Sequence, residues 1–261
     1  LLALLKGLNL QDNIYSLPES IDFIHHGTKI SYPLSQKLHT IMKSSTKYSK
    51  QYLESISLLQ LCIDILGFEE ATKLRDMFGY DAEFEHMNAY SAKVMFSKDL
   101  FSKSQYFMLD NGGLSSIIST LVSILESKDN VELQLEKHVT DIQNKQVTIT
   151  SDTGRSKHFK CKTVISTIPY QETIQLPLFQ TLDFLHCVEP IPLLRIYAKY
   201  PVPKHKQVWF HNIKRTTTNN YIRHIIPIDP TKGLIMISYT DAAYATMWNQ
   251  LSQSKLIKNL H

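Results

Sequence analysis

Residues 110–169 constrain the fold of this 261-residue chain more than any other stretch. The segment opens Asp110-Asn111-Gly112-Gly113 and runs into a stripe of Leu114, Ile117, Ile118, Leu121 and Leu125, the spacing of one apolar helix face. Val131, Leu133 and Leu135 then alternate with polar residues, which predicts a half-buried strand. Val139 with Ile142, and Val147 with Ile149, predict two more strands. Asp152-Thr153-Gly154 predicts a hairpin turn into a short return strand over residues 158–160. The segment closes on Val164-Ile165-Ser166-Thr167-Ile168, nearly continuous in apolar character. That predicts a central strand covered on both faces and stopped by Pro169. A glycine-led helix followed by strands is a mixed α/β (α+β) pattern.

The flanks differ in texture. Leu1, Leu4, Leu5 and Leu8 predict a helix over residues 1–10, and residues 21–24 and 29–32 read as a hairpin turning at His25-His26-Gly27-Thr28. Residues 34–90 are helix-rich. A stripe of Leu53, Ile56, Leu59, Gln60, Ile63 and Leu66 stops at Gly67, a second helix over 69–78 stops at Gly79, and a third is expected over 81–95. The last third reads as an antiparallel meander of strands at 193–200, 207–210, 220–227 and 234–239, punctuated by Pro201, Pro203, Asp229-Pro230 and Gly233. Asp241 is then the expected N-cap of a helix carrying Ala242, Ala245, Trp248 and Leu251.

Several function classes are set aside by composition and motif. A net charge of +4 and a pI near 8.8 fall short of a dedicated nucleic-acid binder, and Lys43, Lys47 and Lys50 read as a solvated face. No apolar run is long enough for a transmembrane helix. Leu1 to Leu5 lack the basic flank of a signal peptide, and the start within a helical pattern, without Met, suggests a piece of a longer protein. Cys62, Cys161 and Cys187 are widely spaced and odd in number, so buried free thiols in a reducing, cytoplasmic setting are expected. Frequent Lys, Ile and Ser hint at an AT-rich genome such as that of a large DNA virus or a protist, with virion association then the alternative location. The chain has no Gly-x-Ser-x-Gly elbow, His-Glu-x-x-His or P-loop. His25 and His26, adjacent on a strand, point to opposite faces and suggest no metal site. Asp81, Glu83 and Glu85 read as a solvated face. Trp209, Phe210, Tyr221 and Tyr239 read as core or domain-interface packing, with cleft lining as the alternative.

The order of these motifs resembles the flavin-containing amine oxidase family, which includes the monoamine and polyamine oxidases. The family pattern of Gly-Gly, helix, strand, Val-x-x-Ile strand, hairpin and Val-Ile-x-x-Ile-Pro matches Gly112-Gly113, Val131-Glu132-Leu133, Val139 to Ile142 and Val164 to Pro169. Ser238-Tyr239-Thr240-Asp241 followed by Ala245 and Trp248 matches a Ser-Tyr-x-Asp strand end leading into an Ala-x-x-Trp helix. The opening Leu-Leu-Lys-Gly-Leu run is similar to the helix that follows the family's first nucleotide-binding unit. The resemblance spans nearly the whole chain.

That resemblance implies part of a two-domain FAD-linked oxidase fold. Residues 1–33 would be the helix and hairpin near the FAD domain, 34–109 the helical part of a substrate domain, 110–170 the returning half of the FAD-binding domain, and 171–261 the antiparallel sheet and helix of the substrate domain. FAD is the implied cofactor, and a small-molecule amine or hydrophobic compound the implied substrate. Val139 matches the residue whose backbone N–H and C=O pair with the adenine edge, and Ser166 and Thr167 match the end of the strand beside the cofactor. Arg195 falls where many members carry a Lys that holds a water against flavin N5. Arg keeps its charge and a fixed planar fork, so it can orient a water or a carboxylate but cannot act as a tunable base. The family's Gly-x-Gly-x-x-Gly motif and C-terminal flavin segment have no counterpart in this sequence. The implied activity is amine oxidation by hydride transfer to flavin, with oxygen as acceptor. The alternatives are a catalytically degenerate structural or binding protein, and a flavoenzyme of desaturase or protoporphyrinogen oxidase type.

Overall fold

The computed structural model describes residues 1–16, 20–99, 107–110, 112–143, 145–151, 153–202, 204 and 206–260. Asn111, the turn residue Asp152 and Pro203 lie outside them. The chain folds into two compact units. One comprises residues 1–15 and 108–190, the other residues 16–107 and 191–261.

In the first unit the helix Leu2–Gly7 buries Leu5, and Leu8 beyond it, against Ile117 of the helix Ser115–Glu126. Leu10, Ile14, Leu109 and Leu121 complete this small core, while Leu1 and Leu4 of the predicted stripe stay exposed. Gly112 and Gly113 have φ of 108° and 60°, a left-handed reversal into the second helix that side chains disfavour. The strands His138–Gln143, Gln146–Thr150 and Ser156–Lys160 form an antiparallel sheet in that order, with Val139 opposite Ile149 and a bulge between Val139 and Asp141.

Two expected strands of this unit do not form. Residues 131–135 and 164–168 have no strand pairing, and their apolar side chains face outward, Leu135 at 72% and Ile165 at 85% exposure. The physical reason is that alternation or apolar continuity specifies which faces a strand buries but not what pairs with it. Among the described residues no strand lies beside either run.

The second unit is built on a six-stranded sheet in the order Thr28–Ile30, Ile21–His25, Arg215–Thr218, His224–Asp229, Leu234–Asp241, Leu193–Lys199. Ile21–His25 runs parallel to Arg215–Thr218, and the other pairs are antiparallel. The meander differs from expectation in its second strand. Residues 207–210 make a turn that buries Val208 and Phe210 with Ile235, and the strand is Arg215–Thr218 instead. Its three threonines have the β-branching that suits a strand, without the apolar alternation that would announce one.

Helices Leu34–Ser44, Lys50–Ser55, Leu58–Leu66, Phe68–Phe78 and Ala89–Asp99 share one core that includes Ile41, Leu53, Leu58, Leu61, Leu74, Met77 and Phe84. The single stripe expected over residues 53–66 is two helices, because Ser49 and Ser57 each accept the backbone N–H three residues on, in a new first turn, at 3.1 Å from Tyr52 and Gln60. Residues 81–95 likewise divide into a single π-helical turn, Ala82–His86, and the helix Ala89–Asp99. Of the cysteines only Cys62 is buried, and burial pushes its thiol up to about 12. Cys161 is half-buried and Cys187 exposed, which corrects the expectation of three buried thiols. Among the described residues no helix is long and apolar enough to cross a membrane.

Candidate functional site

The site of the second unit grows from the turn that follows Gly79. Gly79 ends its helix with φ 88°, and a Cβ there would lie 2.4 Å from the imidazole of His224. The missing side chain leaves room for the His224 ring against the backbone. The Tyr80 ring lies 4.5 Å from the imidazole, and Thr217 Oγ1 is 3.1 Å from Nδ1. Burial, reinforced by Arg215 and Arg223, pushes His224 down to about 3, so the ring is neutral at physiological pH.

Asp81, Glu83 and Glu85 correct the expectation of a solvated carboxylate face, because each points into different surroundings. Asp81 is buried and accepts from Nη2 of the fully buried Arg223 at 2.8 Å. Nη1 of Arg223 is 3.5 Å from Asp76. Burial raises the Asp81 pKa while Arg223 and Arg75 oppose the rise. Glu85 is exposed and pairs with Arg75 at 2.8 Å. Glu83 faces a cavity of about 270 Å³, and its Oε2 is sealed from solvent with no hydrogen-bond partner. Burial is the first cause that raises its pKa, ahead of the nearby Asp241 and Asp81.

Asp241 also departs from expectation. It stands at the start of the helix Ala242–Asn249 but makes no side-chain cap there. Its carboxylate accepts the backbone N–H of Asp81 at 3.0 Å and of Ala82 at 2.9 Å, capping a turn 160 residues away in sequence. The Asp81–Arg223 pair and this cap hold the turn against the sheet, and the cavity opens beside the capped turn. Tyr80, Glu83, Pro192, Leu193, Arg215, Tyr239 and Asp241 line it. The Tyr80 and Tyr239 rings meet edge to face at 5.0 Å.

Arg195 lies on the exposed face of the edge strand Leu193–Lys199, directly across from Tyr239. Its Nη2 donates to the Tyr239 hydroxyl at 3.0 Å and its guanidinium sits 4.6 Å from the centre of that ring. The hydrogen bond is the first cause that raises its pKa. Its observed partner is thus a phenol rather than a carboxylate, and Arg195 borders the cavity through Tyr239 without lining it. Lys199 shares its exposed face, as the even spacing requires.

The other sequence-derived residues lie in the first unit. Val139 is half-buried on the outer strand of the three-stranded sheet, and no strand among the described residues pairs with that strand's free edge. Ser166 and Thr167 are exposed in the segment after the return strand. An open strand edge offers main-chain donors and acceptors at fixed spacing, and small exposed side chains admit close approach. The donor chemistry therefore fits the adenine edge of a dinucleotide.

His25 and His26 do not diverge as adjacent strand residues would. His26 adopts φ 49° in the turn, which brings the rings to 4.2 Å. The four aromatic residues of the last third separate too. Phe210 is core, Trp209 and Tyr221 are largely exposed, and Tyr239 is cavity wall. Tyr80, Glu83, Arg215, Arg223 and His224 were not singled out from sequence as functional residues. The one local signal for them is Gly79, whose need for a bare backbone shows only when residues 217–224 are placed beside it.

Comparison with known proteins accounts for this architecture. The profile of the family "Flavin containing amine oxidoreductase" matches residues 5–260. No curated protein sequence matches. A triple mutant of putrescine oxidase, made to redesign cofactor binding, superposes with a TM-score of 0.64 at 13% identity, covering 98% of this chain and 64% of that one. Wild-type putrescine oxidase bound to putrescine gives 0.62 at 13% identity, covering 98% and 65%. The chain thus spans just under two thirds of the length of these structures and has the mixed helix-and-sheet fold of an FAD-linked oxidase over that part. By the extent of its family match, the chain belongs to the flavin-containing amine oxidoreductases.

Proposed function

We propose that this chain is the substrate-binding part, with a portion of the cofactor-binding part, of an FAD-dependent amine oxidase. The observation that carries the reading is the cavity walled by Tyr80 and Tyr239 with Arg195 fixed on the outer side of Tyr239. Bound flavin supplies the hydride acceptor. It would take the hydride from the carbon beside the amine nitrogen, leaving an imine for water to hydrolyse, and would return both electrons to oxygen as peroxide.

This chain's own residues would position and exclude. The backbone of Val139 would hold the adenine edge, and Ser166 and Thr167 would admit close approach of the dinucleotide. The two tyrosines would flank the substrate and keep water from it. Arg195, permanently protonated, would orient a water from the outer side of Tyr239. The free Cys161 and Cys187 suit a reducing, cytoplasmic setting.

The test is to titrate the protein with FAD and then screen amines, hydrophobic polyenes and porphyrinogens for anaerobic bleaching of the flavin. Bleaching by amines alone is the expected result, and a protein that takes up no FAD overturns the reading. A second reading, a non-catalytic member of the family, is favoured by one observation, Arg in place of the family Lys. If that departure is what silences the site, Arg195→Lys raises the rate of flavin reduction by about 10²-fold or more; if the native site is active, the substitution changes the rate far less.

A further inference from the structure

We infer that His224 is a positioning residue for the cavity: packed behind Tyr80, it fixes how that ring meets Tyr239 and so sets the width of substrate the cavity admits. For an amine as the occupant this rests on the reading above, while the wall itself belongs to the chain alone. Three rings form a triangle, with centres 4.5 Å apart for Tyr80 and His224, 5.0 Å for Tyr80 and Tyr239, and 6.0 Å for His224 and Tyr239. Tyr80 and Tyr239 line the cavity, and the fully buried His224 does not. A side chain that packs on both walls without reaching the space between them acts on an occupant only through the walls.

Each part of this seat is restrained. His224 lies opposite Thr217 of the neighbouring strand, and Thr217 Oγ1 is 3.1 Å from Nδ1. The second side-chain torsion of a histidine is otherwise broad, so this contact selects one ring orientation. An apolar side chain would fill the position without the cost of burying an imidazole, but would lack that orienting bond. The far edge of the ring, Cε1 and Nε2, faces Gly79, the residue that leads into Tyr80. On the other side of Tyr80, the N–H groups of Asp81 and Ala82 are held by Asp241. The backbone that carries Tyr80 is thus seated on His224 before the ring and pinned by Asp241 after it. Tyr239 is fixed separately, by the Arg195 hydrogen bond and by strand pairing with Leu193–Lys199. Loss of the His224 ring leaves a void into which the Tyr80 ring relaxes, and the cavity widens.

The experiment measures, by calorimetry, the ratio of Kd for two probes that differ in width, benzylamine and 1-naphthylmethylamine. The protein is loaded with FAD that dithionite has already reduced, so no turnover occurs. Benzyl alcohol and 1-naphthylmethanol form a neutral pair, measured with and without flavin. In His224→Ala the ratio is expected to move about 10-fold or more toward the naphthyl compound in both pairs. Thr217→Val, which removes the hydrogen bond and keeps the branched shape, is expected to move it the same way by about 5-fold. An equal loss of affinity for both probes, as a purely structural role would give, overturns the inference, and so does an unchanged ratio. If His224→Ala does not fold, Thr217→Val decides the matter. Binding of the neutral pair alone, with no amine bleaching the flavin, would instead sink the amine-oxidase reading and leave the wall to be judged by the neutral ratio. Failure of both pairs to bind the unaltered protein overturns the inference as well.

Discussion

The two units of this chain invert the usual relation between polarity and burial in different ways. The first leaves apolar side chains in the open, with Leu114, Ile118, Leu135 and Ile165 all more than 60% exposed around a core of three buried residues at its helix pair. The second hides charge. Arg223, His224 and Asp81 are buried beneath a well-filled layer of helices. Exposed apolar surface on that scale marks a face that meets something else. Buried charge that is paired marks a place where geometry must be held. The difference teaches that the second unit is held by paired charge inside its own core, whereas the small core of the first leaves several apolar side chains uncovered.

The sharpest way to break this contrast is to remove the buried cation. Arg223→Ala leaves the Asp81 carboxylate buried without its main partner. A loss of about 3–5 kcal/mol is expected in urea unfolding of the chain, through the second unit. A loss below about 1 kcal/mol would mean that the pair is solvated and the contrast false.

Acid offers a smaller, graded effect. His224 is held neutral far below its ordinary range, while in the unfolded chain it takes up a proton as pH falls through about 6.5. The unfolded state then binds more protons, so stability falls on acidification from pH 6.5 toward about 3, by up to about 1.4 kcal/mol per unit from this group. Buried Asp81 and Glu83, whose pKa values are raised, act with the opposite sign. The measurement is therefore the difference in pH slope between the protein and His224→Gln, expected to be shallower in the variant.

The smallest effect belongs to the first unit. Ile165→Ser alters a side chain that is 85% exposed, and a change under about 0.5 kcal/mol is expected in the same unfolding assay. A cost of 2 kcal/mol or more would show that the run through Ile165 is covered after all.

Much of the architecture was legible because it is local or ordered. Gly67 and Gly79 announce helix ends through backbone geometry alone, and the sequence of glycines, strands and Ile168-Pro169 pointed to the family before any coordinate did. What stayed hidden depends on partners far away in sequence. Val164 to Ile168 has the composition of a central strand, yet a strand exists only where another accepts its hydrogen bonds. The Thr216-Thr217-Thr218 strand carries no apolar alternation and becomes a strand by pairing on both sides. Glu83, with its alternating acidic neighbours, looked like solvent-facing surface because nothing local distinguishes it from Glu85. The difference is made by Asp241, which pins the turn so that one carboxylate faces the cavity and the other faces water.

That pin also ties together distant parts of the chain. The hydrogen bonds from Asp81 and Ala82 to Asp241 close a loop of 160 residues, among the longest closures in the second unit. The entropy cost of such a closure grows only slowly with loop length, and the strand pair Ile21–His25 with Arg215–Thr218 closes a longer one beside it. The cavity walls are therefore drawn from residues 80–83, 191–193, 215 and 239–241, and a shift of any one of these segments reshapes the whole cavity.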